Sequence, residues 1–209
     1  MRFTGLRRSA ALVAVVALSW PLALVGRQKG ASSRSNQSSS ALEAGSIDDG
    51  VYHNPAFGFS YRVPFGWVDR TGDMQPDVND PSSGQVLLAF FERPPEAESA
   101  DLDSAILIAT EPVSAYHGLK TAGDYFGPLD EITAAKGFQA EGDPYEFPVG
   151  SKKLMRGDFT KSKGTQTLRQ TSLVMLEKGQ IVSFTFIAAS EEDVNDLVER
   201  LSFPTRAKR

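Results

Sequence analysis

An α+β domain whose strands are covered on both faces is the fold class that the sequence predicts. Three observations point to it. The runs QVLLAFF (85–91) and SAILIAT (104–110) are apolar on both sides of a strand, as central strands are. The segment QTLRQTSLVMLEKGQIVSFTFIAA (166–189) reads as two β-rich runs joined at Lys178-Gly179, a hairpin signal. After it, Val194, Leu197, Val198 and Leu201 fall at i, i+3, i+4, i+7, one apolar stripe of a helix.

The elements follow in order. In FGFSYRV, Phe57, Phe59, Tyr61 and Val63 share one side of a period-two strand, while Gly58, Ser60 and Arg62 take the other. Pro64 ends that strand because it cannot donate to the ladder. Gly66 permits a bend, and Trp67 is expected to fold back over the Phe face as a core corner. Strands at 85–91 and 104–110 come next. Thr121 and Asp124 have capping-box spacing, Gly127-Pro128 interrupts, and a helix is expected from about Pro128 to Lys136, with Tyr125, Leu129 and Ile132 on one side. A weaker strand occupies about 152–160. In the hairpin, Val182, Phe184 and Phe186 alternate inward. Ser190 caps the last helix, Glu191 and Glu192 suit its positive start, and SFP at 202–204 stops it.

The chain ahead of this domain has a different composition. Residues 1–34 hold six basic residues and no acidic one, which leaves 16 Lys and Arg against 26 Asp and Glu in the rest, near −10. That balance argues against nucleic acid as a partner, because such affinity comes from Lys and Arg neutralising phosphates. MRFTGLRRS is basic, and the 16-residue apolar run 10–25 is shorter than the roughly 20 residues of a spanning helix. Residues 1–27 therefore read as a signal peptide or an N-terminal membrane anchor, residues 28–46 as a flexible Ser-rich linker, and 47–209 as a globular domain. The expected location is extracytoplasmic, with membrane contact only through 10–25 if the signal is uncleaved. The absence of cysteine excludes disulfides, a thiol nucleophile and a lipoprotein anchor.

The candidate chemistry is sparse. His53 and His117 are the two histidines, and no Gly-x-Ser-x-Gly elbow, His-Glu-x-x-His or phosphate-cradling loop occurs. No cofactor and no catalytic residue is expected, although a hydrolase with paired carboxylates would leave no signature. Two loops are rich in carboxylates, 69–84 and 92–103, and they leave opposite ends of strand 85–91. If 85–91 and 104–110 are antiparallel neighbours, Glu111 and His117 return to the end that bears Asp77 and Asp80. Those four residues form a candidate divalent-metal site: oxygens suit Ca²⁺ or Mn²⁺, and an added imidazole favours Mn²⁺ or Zn²⁺.

Three passages resemble the PsbP-like family, the extrinsic lumenal subunit of photosystem II and its bacterial relatives. They are NPAFGFSYRVPFGW, EFPVGSKKLMRGDF, and the terminal hairpin and helix running into LSF; together they span 51–203. The resemblance implies an α-β-α sandwich with a central antiparallel sheet, in a secreted or lumenal setting, and it carries no catalytic residue. The expected role is a non-catalytic binding or assembly factor with a protein partner at the cell envelope.

Overall fold

A computed structural model of the chain describes residues 45–76, 84–93, 104–164 and 166–204. The signal or anchor, nearly all of the linker, and Asp77 and Asp80 lie outside those residues. Among the described residues the strands form two antiparallel sheets. The smaller contains β1 (Ser46–Asp48), β2 (Val51–Asn54), β3 (Phe59–Arg62) and β12 (Leu201–Ser202), adjacent in that order. The larger runs β4 (Val68–Asp69), β5 (Gln85–Phe91), β6 (Ala105–Pro112), β11 (Gln180–Ala188), β10 (Gln166–Glu177), β9 (Lys152–Lys163) and β7 (Gln139–Ala140), and β8 (Tyr145–Val149) also pairs with β9. The helices are α1 (Phe126–Ala135) and α2 (Glu191–Glu199).

Alternation along the central strands divides the interior into two cores. Ile106, Ile108, Val182, Phe184 and Phe186 face the small sheet and α2. Ala105, Leu107, Ile181, Ile187 and Val174 face α1. The register sets Phe184 opposite Ile108 and Phe186 opposite Ile106, so large side chains meet in cross-strand pairs. The predicted face of the FGFSYRV strand is buried as expected, but it covers the central sheet instead of extending it. Phe59 meets Phe184 edge-on at 5.0 Å, and Tyr61 stacks on Phe186 at 5.7 Å. The α+β class with a central antiparallel sheet is thus observed, with a second small sheet sharing one face with α2.

α1 starts, and α2 ends, slightly off the expected position for local reasons. A 3-10 turn (Gly123–Tyr125) leads directly into α1, which begins at Phe126 and not at Pro128. Pro128 falls in the first turn, where no helical donor is needed. Gly127 helps because it has no Cβ to clash with the proline ring in a helical conformation. The expected capping box forms: the Asp124 carboxylate accepts from the amides of Lys120 and Thr121, and the Asp124 amide donates to Thr121 Oγ1 at 3.4 Å. In α2, Ser190 Oγ accepts from the Asp193 amide at 3.1 Å. That helix ends at Glu199, and Leu201, expected to complete its stripe, pairs in β12 with Tyr61.

α1 lies close on its sheet because β9 offers a glycine there. A Cβ at Gly157 would sit 2.4 Å from Cε1 of Phe126. Gly157→Ala should therefore destabilise by about 1–3 kcal/mol in urea denaturation, as overpacked cores do. The double change with Phe126→Leu should cost less than the sum of the two single changes. Strict additivity would show that the ring does not rest on this glycine.

Candidate functional site

The strand pairing that motivated the metal candidates is present. β5 and β6 are antiparallel neighbours, and Gln85 stands opposite Thr110. Chain 84–85 lies so close to the end of β6 that a Cβ at Gly84 would meet Thr110 O at 1.9 Å and Glu111 Cγ at 2.7 Å. Glu111 is buried, only 3 % exposed, and alternation turns it to the α1 side together with Leu107. Its carboxylate is held by two phenols. Tyr125 donates to Oε1 at 3.0 Å, and Tyr116 donates to Oε2. The two rings pack edge to face at 5.3 Å. His117 is exposed in the loop beyond the 3-10 turn Val113–Ala115. Of the four candidates, then, two are placed: Glu111 inside with both oxygens occupied, and His117 outside. Among the described residues no group of three or more His, Asp or Glu side chains gathers as a metal cage would need.

Burial pushes the Glu111 carboxyl up from 4.5 to about 7, and the Tyr125 hydrogen bond draws it part of the way back. Tyr125 itself lies well above its ordinary value, chiefly through burial and further through the Glu111 charge.

A second feature lies where the chain crosses between sheets. β3 ends the small-sheet hairpin, and β4 opens the large sheet with Val68 opposite Phe91. Pro64–Trp67 makes the crossing. The Trp67 amide bonds Pro64 O at 3.5 Å, and Gly66 takes a φ of 83°, a left-handed conformation that glycine adopts without strain. Trp67 is half-buried. It packs against the core that holds Phe57 and Phe59, as expected, but its remaining surface lines an open groove of about 550 Å³. Pro64, Leu197 and Ala188 line the groove with it, and Glu92, Asp193, Asp196, Arg93 and Arg200 supply charge. At the tip between Pro64 and Trp67, Phe65 is 106 % exposed. Sequence reading passed over Phe65. Its signal was its position, off the alternating strand and inside a Pro-x-Gly turn.

No family model matches the chain, and no curated protein matches it by sequence. Solved structures similar in shape include the following three. The solution structure of cyanobacterial PsbP from Synechocystis has a TM-score of 0.48 at 14 % identity, covering 74 % of this chain and 91 % of that one. A protein of unknown function, PA94 from Pseudomonas aeruginosa, has a TM-score of 0.39 at 12 % identity, covering 64 % and 90 %. LpqN from Mycobacterium tuberculosis, described as involved in cell envelope biogenesis, has a TM-score of 0.35 at 16 % identity, covering 70 % and 83 %. At these values the likenesses assign neither an activity nor a partner to this chain.

The Glu111 site makes stability depend on pH in a defined direction. An acid whose folded value is raised loses its proton first in the unfolded state, so stability falls as pH climbs from about 4.5 to about 7 and levels off above. Urea midpoints at pH 5 and pH 7.5 should show this loss in the wild type, about 1–3 kcal/mol greater than in Glu111→Gln. The same pH difference in both proteins would contradict a raised carboxyl.

Proposed function

We propose that this chain is an exported, non-catalytic binding or assembly module of the cell envelope, and that the Pro64–Trp67 loop with its groove is the contact surface. Phe65 is the observation that carries the proposal. Every other described phenylalanine is buried or half-buried, whereas Phe65 stands fully exposed in an ordered turn, between two residues that line the groove. Covering such a ring is worth about 2 kcal/mol, and aromatic anchors of this kind dominate binding energies. A catalytic role draws little support from Glu111, whose two oxygens are spent on tyrosines. The export reading rests on the basic and then apolar start of the sequence.

A photoreactive phenylalanine analogue at position 65 should form a discrete adduct with an envelope protein in cells, and the same analogue at exposed Lys136, beyond the other face of the large sheet, should not. With the analogue moved to Glu92, exposed and lining the same groove, adding Phe65→Ser should abolish capture while changing stability by less than about 0.5 kcal/mol, the usual limit for surface sites. No adduct from position 65, or equal adducts from both positions, would overturn the proposal. A reporter active only outside the cytoplasm, fused after Arg209, should be active; an inactive fusion retained in the cytoplasm would refute export.

A further inference from the structure

α2 carries more negative charge than its own stability asks for. Glu191, Glu192, Asp193, Asp196 and Glu199 are all exposed. The first three stand at the positive start of the helix, where carboxylates stabilise it. Asp196 and Glu199 do not. Glu199 closes the helix at its negative end, and Asp196 stands four residues from Glu192 and three from Glu199, spacings at which like charges repel. The ion pairs among the described residues are Arg70–Asp73, Lys152–Glu177, Lys153–Glu146, Arg156–Asp158 and Arg169–Glu141, and none engages these five acids. Arg200 follows Asp196 by four residues without forming such a pair with it.

Three of these acids, Asp193, Asp196 and Glu199, border the proposed contact surface. Asp196 lines the groove that holds Trp67, and it also lines a second open groove, with Glu199, Arg200, Arg62, Val51 and Ser202. The acidic helix and the exposed Phe65 thus flank one surface, apolar on one side and acidic along α2 on the other, where Glu92, Asp193, Asp196 and Glu199 stand against Arg62, Arg93 and Arg200. From this we infer that the surface takes a partner polypeptide segment rich in Lys or Arg with apolar residues among them. The cations relieve the repulsion along α2, and the apolar side chains cover Phe65 and the open side of Trp67. Arg62, Arg93 and Arg200 set the limit on positive charge: the segment must place its cations over α2 and away from these guanidinium groups.

This inference rests on the binding proposal, and the experiment separates the two. The probe is a labelled twelve-residue peptide alternating Lys with Leu or Phe, titrated against the full chain by fluorescence anisotropy, with a twin peptide carrying Glu for Lys. The Lys peptide should bind at least about tenfold tighter than its twin and weaken as salt rises. Asp196→Asn with Glu199→Gln should weaken it about fivefold to tenfold, and the melting temperature should hold or rise because a repulsive pair is gone. Phe65→Ser should weaken it too. Equal binding of the two peptides, or unchanged affinity in the Asp196 and Glu199 double variant, overturns the inference. So does a position-65 adduct that maps to an acidic segment or to a lipid. With an acidic protein segment in the adduct, the contact surface itself would stand; with no adduct at all, the contact surface fails first.

Discussion

The structure depends on β11 and β6 being buried on both faces at once. A strand in that position has no solvent side, so each of its two rows of side chains needs its own cover. One row, Val182, Phe184 and Phe186, needs broad aromatic partners, and the small sheet delivers them as Phe59 and Tyr61. The other row is shallower, with Ile181 and Ile187, and one helix with its leading turn suffices. Of the polar members of that second row, Ser183 is only half-buried and Thr185 is buried with a partner. Thr185 shares a 3.3 Å contact with Ser172 across the ladder, and Ser172 accepts from Gln170. Two unequal covers on one sheet explain why the fold has both a helix and a sheet-plus-helix layer.

α2 is joined to its sheet by more than its apolar stripe. Arg156 on β9 is buried, and it reaches Asp158 at 3.0 Å, Thr171 at 3.2 Å and Asn195 of α2 at 3.0 Å, with Phe147 beneath its guanidinium at 4.9 Å. Thr171 also donates to Asp158 at 2.5 Å. A buried cation with its hydrogen-bonding capacity this well directed fixes orientation, since α2 cannot rotate without stripping Asn195 from it. That rigidity holds the acidic face of α2 at a set angle to the groove beside Trp67.

What could be read from the sequence is what repeats. The hairpin at Lys178-Gly179, the Ser190 cap, the Thr121–Asp124 box and the inward row of β11 are periodic or follow a spacing rule, and each is present. The strands that escaped reading are β1, β2, β4, β7, β8 and β12. Most are two to four residues long, too short for a period to declare itself. β12 is the clearest case: Leu201 fits a helical stripe as well as a strand, and only its partner Tyr61, far away in sequence, decides. For the site, the pairing of β5 with β6 was readable and put Glu111 where it is. The tyrosines that claim its carboxylate were not, because Tyr116 and Tyr125 reach it only through the turns that follow β6.

The small sheet has a topological property with consequences in time. β3 comes early in the domain and β12 near its end, yet they share a ladder, and the Tyr61 hydroxyl bonds Leu197 O across 136 residues. Closing so long a loop is entropically expensive before other contacts exist, and pairings this distant slow folding. A ribosome or a translocon releases residues in order, so β3 must wait for nearly the whole domain before its partner is available. Until then the aromatic face of β3 stays uncovered, and the large sheet lacks one of its lids. Were the chain exported as proposed, that delay would work in its favour: the domain would stay open and threadable until β12 closed the small sheet like a latch.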